Sequence, residues 1–324
     1  MCSTALWKLH GVCLNGTVRP RLQDITMELS TGVTAVVGRS GSGKTSLLNM
    51  LVEYERPDAG IVERRISESP DQLSFYWVPQ EHGLWNHVTV EQHVAAVTNG
   101  EGLLHAGEFL KIFGLDDHRG RFPNQMSVGQ RSRLAVARAL ATNAVVLVMD
   151  EPFTHVDRER AEVYWRRVIS HVKQSNASLI YATHSPSMVI GFAKHVAVIQ
   201  EGKLAYSGEV DALYWNPPNR ELAFSLGPAN WFTASEAPLW LGDTLGQDCC
   251  LRPERIRVER DSKSQIRILN HHAGGMLRTL DVVHDQTRQE KTLYVMAVGP
   301  EIFAGDTIRL TTAEPGKHLG GKAR

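Results

Sequence analysis

Apolar residues up to about position 225 follow two alternating rhythms. Short continuous runs (Val33–Val37, Val145–Met149, Leu179–Ala182 and Val196–Ile199) are rich in β-branched side chains. Runs of this length and composition predict strands buried on both faces, because a strand with one wet face would alternate. Longer segments, Lys44–Glu53, Gln130–Thr142 and Arg158–Gln174, carry apolar residues at helical spacing and predict helices. Strand–helix alternation of this kind predicts an α/β fold, a parallel sheet covered by helices. The texture changes at "NPPNRELAFSLGPANWF", Asn216–Phe232, where Pro, Gly and aromatic residues cluster. A domain boundary is expected there, giving domains 1–232 and 233–324. Beyond it, "LRPERIRV", "SQIRIL", "KTLYVMAV" and "DTIRLT" alternate with period two between Gly, Asn and Asp. That pattern predicts a small all-β barrel of roughly 80 residues.

Composition adds constraints. The 324 residues are 42% hydrophobic and 22% charged, the balance of a globular protein, and 35 basic residues match 35 acidic ones. A net charge of zero gives no global positive field, so nucleic acid is not an expected partner. The N-terminus has no apolar signal region, and no run reaches the ~18 apolar residues that a membrane span needs. Cys2, Cys13, Cys249 and Cys250 lack metal or disulfide-framework spacing and are expected to be reduced thiols of a cytoplasmic protein. His82, His87 and His93 also lack metal spacing, and the pair His271–His272 is expected in a turn before "AGG".

One strand leads directly into chemistry. "GRSGSGKTS" (Gly38, Arg39, Ser40, Gly41, Ser42, Gly43, Lys44, Thr45, Ser46) follows Val33–Val37 and opens a helix. It fits G-x-x-x-x-G-K-[ST] in the strand–loop–helix context that the motif requires. Glycines let successive N–H groups face phosphate oxygens, and the helix start adds partial positive charge. Lys44 supplies a full charge to the β- and γ-phosphates, and the Thr45 hydroxyl can ligate Mg²⁺. A second apolar run, "VVLVMDEP", ends in Asp150 and Glu151. Asp150 can hold Mg²⁺ through its water shell, and Glu151, one step past the strand edge, can polarise an attacking water.

These motifs sit in a fixed order with others: Gln80 at the end of "FYWVPQ", then "MSVGQ" at Met126–Gln130, Asp150–Glu151, Asp157 in "THVD", and His184 in "YATHSP". Over about residues 5 to 230 the chain resembles the ATP-binding cassette ATPases, whose Walker A loop, Q-loop, LSGGQ signature, Walker B strand, D-loop and switch His follow this order. The resemblance implies a P-loop NTPase domain with a parallel-sheet core and a helical subdomain. It implies ATP and Mg²⁺ as ligands, a Gln80 that senses Mg²⁺ and the nucleophilic water, and a His184 on the γ-phosphate. It further implies that Ser127, Gly129 and Gln130 bind ATP held by a second copy, two cassettes closing head to tail with Asp157 between them.

Two positions depart from the family. Val128 stands where Gly is usual, and a β-branched residue disfavours a positive φ. Either the backbone there is ordinary and the valine packs, which is the favoured expectation, or closure of the pair is weakened. No aromatic ring occupies Asn15–Val18 to stack on adenine; Val18 or, less naturally, Trp7 would have to serve, and weak base selectivity is expected.

The C-terminal part resembles the importer branch. Phe224–Asn230 matches that branch's "FxGxxN" exit with one residue of altered spacing, and Leu251–Val258 resembles the Arg-Pro-Glu strand of the TOBE module, an OB-like barrel. Such modules occur in importer ATPases for ferric iron, molybdate, sulfate, polyamines and sugars. The expected assembly is a homodimer on the inner face of the cell membrane with integral permease subunits and a solute-binding protein. A soluble non-transport ATPase, an exporter ATPase and a non-enzymatic binding module are the alternatives; no coiled-coil insertion or tandem cassette supports the first, and the expected barrel argues against the second.

Overall fold

In the computed structural model, residues 4–66, 70, 72–98, 102–242, 246–297 and 301–312 are described. The chain divides into two compact units, Met1–Val210 and Asp211–Arg324.

In the first unit, β1 (Ala5–Leu14) pairs antiparallel with β2 (Leu22–Ser30) on one side and β4 (Ala59–Arg64) on the other; β3 (Val33–Val37) lies between them in sequence but belongs to another sheet. Helix α1 (Lys44–Leu51) follows β3, and β5 (Phe75–Val78) leads to the helical part, α2 (Val90–Ala95), α3 (Gly102–Ile112) and α4 (Val128–Ala141). Next come β6 (Val146–Asp150), α5 (Arg158–Gln174), β7 (Ser178–Thr183), α6 (Pro186–Phe192), β8 (His195–Gln200) and β9 (Lys203–Glu209). The main sheet has the order β5-β6-β7-β3-β8-β9, parallel except for the edge strand β9. Every residue of β6 and β7 is buried, as their unbroken apolar runs require. Registers Val37↔Thr183, Asp150↔Ala182 and Val78↔Met149 align the carboxyl ends of β3, β5, β6 and β7 on one rim. In open α/β sheets that rim is where ligands bind.

The antiparallel sheet and main sheet share a core that includes Trp7, Leu47, Val148 and Ile180. Trp7 is buried in β1 with its indole N–H donated to Leu51 O at 3.0 Å, which removes it from any contact with a base. Helix α4 begins at Val128, two residues before the sequence placed it, because Ser127 caps it.

The second unit opens with α7 (Val210–Trp215), which begins at the division, then α8 (Arg220–Ser225), β10 (Asn230–Phe232), α9 (Ala237–Leu241) and β11 (Cys249–Leu251). A five-stranded antiparallel sheet follows, built from β12 (Ile256–Arg260), β13 (Ile266–Gly274), β14 (Leu277–His284), β15 (Glu290–Met296) and β16 (Thr307–Thr312), in the order β12-β16-β13-β14-β15. Its core gathers Ile268, Leu280, Val282, Leu293 and Ile308 around Phe232 and Trp240. The stretch Asn216–Phe232 therefore groups with this unit rather than ending the first. Polar anchors explain why. Buried Asn230 donates to Leu251 O (3.0 Å) and Tyr294 O (2.8 Å) and accepts from the Tyr294 N–H (2.8 Å). Buried Arg252 donates to the carbonyls of Tyr214, Gly227 and Pro228 and lies over the Tyr214 ring.

The histidine pair departs from expectation. His271 and His272 are strand residues of β13, facing Leu280 and Thr279, because the hairpin turns later, at Gly275 with φ 65°. Cys13, Cys249 and Cys250 are half-buried free thiols, and burial pushes the last two away from thiolate; Cys2 lies outside the described residues.

Candidate functional site

The loop Gly38–Gly43 leaves β3 and turns into α1. Gly43, at φ 110°, is the residue before the helix, and a Cβ there would lie 2.6 Å from Arg21 O, so both conformation and space demand glycine. Lys44 folds back over the loop, its Nζ donating to Gly38 O (2.9 Å) and Arg39 O (3.3 Å). That places a buried ammonium at the mouth of the loop with two weak acceptors that a phosphate can replace.

Across the rim, the Thr45 hydroxyl donates to Asp150 Oδ2 at 2.6 Å. Asp150 is buried at the end of β6, and its Oδ1 has no hydrogen-bond partner among the described residues. Burial raises its pKa; the Thr45 hydroxyl and the charge of Lys44 act the other way, and Glu151 adds to the rise. A hydroxyl beside an under-satisfied buried carboxylate is an oxygen donor set that suits a hard divalent cation such as Mg²⁺.

Glu151 follows with φ 50°, a left-handed conformation that costs a side-chain-bearing residue about 1–2 kcal/mol. Its N–H donates to Ala182 O on the neighbouring strand (3.1 Å), which holds the turn. The carboxylate thus leaves the β6 line and meets His184, the residue after β7: Nδ1 lies 2.6 Å from Glu151 Oε2. Thr154 donates its hydroxyl to the same Oε2 at 2.6 Å. Two donors converge on one carboxylate oxygen and fix the other's direction, as a general base requires. Thr154 was not singled out from sequence; a hydroxyl three residues past a candidate base was its one signal.

Gln80 is exposed in the turn after β5. The residues that follow it, His82 and Gly83, have φ 71° and 57°. Arg138, from the apolar face of α4, holds this turn: its Nη2 donates to Gly83 O (2.8 Å) and His82 O (3.4 Å), and the guanidinium lies over Trp85 (4.9 Å) and Tyr76 (5.9 Å). Arg138 is 4% exposed, its Nε and Nη1 have no hydrogen-bond partner among the described residues, and burial lowers its pKa. The segment downstream is pinned by His93, which accepts the Trp85 N–H at Nε2 (2.9 Å) and donates from Nδ1 to Thr89 O (2.8 Å).

The Met126–Gln130 turn is a capping box. Ser127 Oγ accepts the Gln130 N–H (3.2 Å), Gln130 Oε1 accepts the Ser127 N–H (2.8 Å), and Gln130 Nε2 meets His118 (2.9 Å). Val128 is the first helical residue and has no positive φ, so its backbone is ordinary. Its side chain is only partly covered by this chain, being 40% exposed. Gly129 is needed for space: a Cβ would lie 2.7 Å from His155 O, which joins this helix start to the segment carrying Asp157. Asp157 is exposed at the start of α5. Ser127 and Gln130 therefore form a second group, bonded to each other and to His118, with Gly129 close against His155, two residues before Asp157. Among the described residues no His, Cys, Asp or Glu cluster has the form of a metal centre.

Residues 22–154 match the family model described as ABC transporter. The Fe(3+) ions import ATP-binding protein FbpC of Haemophilus influenzae (strain 86-028NP) is 30% identical, over 77% of this chain and 79% of that protein. FbpC 2 of Pectobacterium atrosepticum is 30% identical over 94% of this chain and 88% of its own length. The chain belongs to the ABC transporter family. Further relatives of this cassette are named for import of 2-aminoethylphosphonate and molybdenum. Its fold is that of the ATP-binding cassette MJ0796, solved as a dimer in a post-hydrolysis state with ADP and Pi: TM-score 0.56, 22% identity, 63% of this chain and 99% of that one. As in the family, the cassette is an ATPase, and Gly38, Asp150 and His184 stand at the carboxyl ends of neighbouring strands on one sheet rim.

Proposed function

We propose that this chain is the ATP-hydrolysing subunit of an import system, working as a head-to-tail pair beneath a membrane permease. The observation that carries the reading is the convergence of Thr154 and His184 on Glu151, one residue beyond the Thr45–Asp150 pair. Thr45 and Asp150, with Gln80 from the facing turn, would hold Mg²⁺; when bound, the ion offsets charge on the β- and γ-phosphate oxygens. Lys44 exchanges its carbonyl partners for phosphate oxygens. Glu151 orients a water for in-line attack and takes its proton. With Nδ1 held on Glu151, the other ring nitrogen of His184 is left to meet the γ-phosphate.

The second group completes the site from a second copy. The first N–H groups of α4 and the Ser127 hydroxyl proton, free because Ser127 only accepts within its own cap, would face the partner's γ-phosphate. Val128 presents its exposed side chain on that surface without backbone strain. No helix among the described residues is long and apolar enough to cross a membrane, so the permease spans would come from other chains, with the cassette on the cytoplasmic face and a solute-binding protein outside. The antiparallel second unit, in this reading, is a TOBE-like module. Ferric iron, molybdate, sulfate and related anions, polyamines or sugars are the cargo classes.

Glu151→Gln tests the proposal. The amide keeps the shape and an acceptor oxygen but cannot take a proton, so phosphate release should slow by about 10²–10⁴-fold. ATP binding should persist, and light scattering should show a dimer in MgATP. Parental turnover in Glu151→Gln would remove the general-base assignment; a hydrolysis-blocked chain that stays monomeric at saturating MgATP, alone and with its permease, would remove the paired site.

A further inference from the structure

The nucleotide cleft has a second wall. The connection between β1 and β2, residues 15–21, closes over the phosphate loop, and one cleft of about 270 Å³ is lined by Arg19, Pro20 and Arg21 on one side and Gly41, Gly43, Lys44, Thr45 and Ser46 on the other. This connection holds no aromatic ring, and Val18 is 95% exposed, so nothing on it is built to stack on a base. What it offers instead is charge.

Its two arginines differ in their commitments. Arg21 is tied down: its guanidinium pairs with Glu55 (2.7 Å) and bonds Asn15 O (3.2 Å), and its N–H donates to Leu14 O (2.7 Å). Those bonds shape the loop. Gly16 allows its tight course, since a Cβ there would meet Arg19 O at 2.5 Å. Arg19, by contrast, has no hydrogen-bond or carboxylate partner for its guanidinium among the described residues. It points across the cleft: a Cβ on Gly41 would sit 3.6 Å from its Nη2. Gly41 is the middle of the loop whose N–H groups face the phosphates. An unpaired guanidinium at that distance has the planar donor fork that phosphate oxygens match.

We infer that Arg19 is a second polyphosphate-binding cation, clamping the nucleotide from the wall opposite Lys44 and supplying through phosphate the affinity that an adenine-stacking ring would otherwise supply. This rests on reading Gly38–Ser46 as the phosphate loop. Recognition is then weighted toward the triphosphate, which every purine or pyrimidine nucleoside triphosphate carries.

Calorimetric titrations of the full chain with MgATP, MgGTP and magnesium tripolyphosphate, for the parent, Arg19→Ala, Arg19→Lys and Lys44→Ala, test it. Arg19→Ala should weaken all three ligands by a similar factor, about tenfold or more, the size of one charge-assisted contact. Arg19→Lys should recover part of the loss. A loss confined to the two nucleotides, with tripolyphosphate unaffected, would place the guanidinium on the base and overturn the inference. So would unchanged binding in Arg19→Ala while Lys44→Ala abolishes it, a result that leaves the loop reading intact. Parental tripolyphosphate binding in Lys44→Ala would instead refute the loop reading, and Arg19 with it. Arg19 is exposed, so its variants should fold as the parent does, which a thermal melt verifies.

Discussion

Replacing Arg138 by Met separates a residue that stabilises the fold from one that shapes the site. The guanidinium makes one good charge-assisted bond, to Gly83 O at 2.8 Å, and a marginal one, to His82 O at 3.4 Å. Losing the first costs about 1.5–3 kcal/mol. Losing the place over Trp85 costs about 0.5–2 kcal/mol more. Against this, burial without a carboxylate leaves Nε and Nη1 unpartnered, and each such group costs about 1–3 kcal/mol. Met fills much of the same apolar space and removes that penalty, so the terms nearly cancel. Stability should change little, within a few degrees in Tm. The turn is another matter. His82 and Gly83 are both left-handed, and His82 is strained by about 1–2 kcal/mol there. Without the clamp on their carbonyls the turn relaxes, and Gln80, two residues before His82, loses its position. Displacement on the ångström scale can cost about a hundredfold in rate, so kcat/KM for ATP should fall by about 10–100-fold. Steady-state phosphate release beside thermal denaturation provides the assay. A Tm drop beyond 10 °C, about that size or larger, with parental turnover per folded molecule would refute the reasoning, since Arg138 would then be structural alone.

Asp150→Asn should raise the Tm of the nucleotide-free chain slightly, because it removes a buried carboxylate whose Oδ1 is unpartnered, while Mg²⁺-dependent hydrolysis is lost; calorimetry with and without MgATP reads both. Gly129→Ala forces a Cβ to 2.7 Å from His155 O, and reaching a tolerable 3.4 Å requires a shift of 0.7 Å (3.4 − 2.7). A destabilisation of about 1–3 kcal/mol is expected from urea unfolding, with ATPase loss; a neutral outcome in both would refute the close contact. His82, His93 and His171 are held neutral, each with its pKa lowered first by burial. The unfolded chain therefore binds more protons than the folded one below the ordinary histidine pKa of about 6.5. Stability should be full above that pH and fall as pH drops through it. His93→Gln, which keeps an acceptor for the Trp85 N–H, should flatten the decline; an unchanged slope would exclude His93 as a contributor.

Local chemistry was legible in the sequence. The phosphate loop is a run of nine neighbours whose conformation depends on its own glycines, and β3, β6, β7 and β8 announce themselves because burial on both faces leaves them largely apolar without alternation. Order along the chain was enough to expect Glu151 and His184 in one machine. That His184 bonds Glu151 was decided by the parallel registers of β6 and β7, which bring residues 33 positions apart to one rim. Arg138 carried no signal of its own in the sequence, since its partners, Gly83 and Trp85, come from a distant turn. Strand β14 escaped notice, and His271–His272 looked like turn residues, because their place depends on pairing with each other across a hairpin. The division after Val210 likewise follows from where Asn230 and Arg252 find partners. Sequence determines what each segment can do by itself; long-range hydrogen bonds and close packing, which satisfy buried polar groups, decide which of those capacities meet.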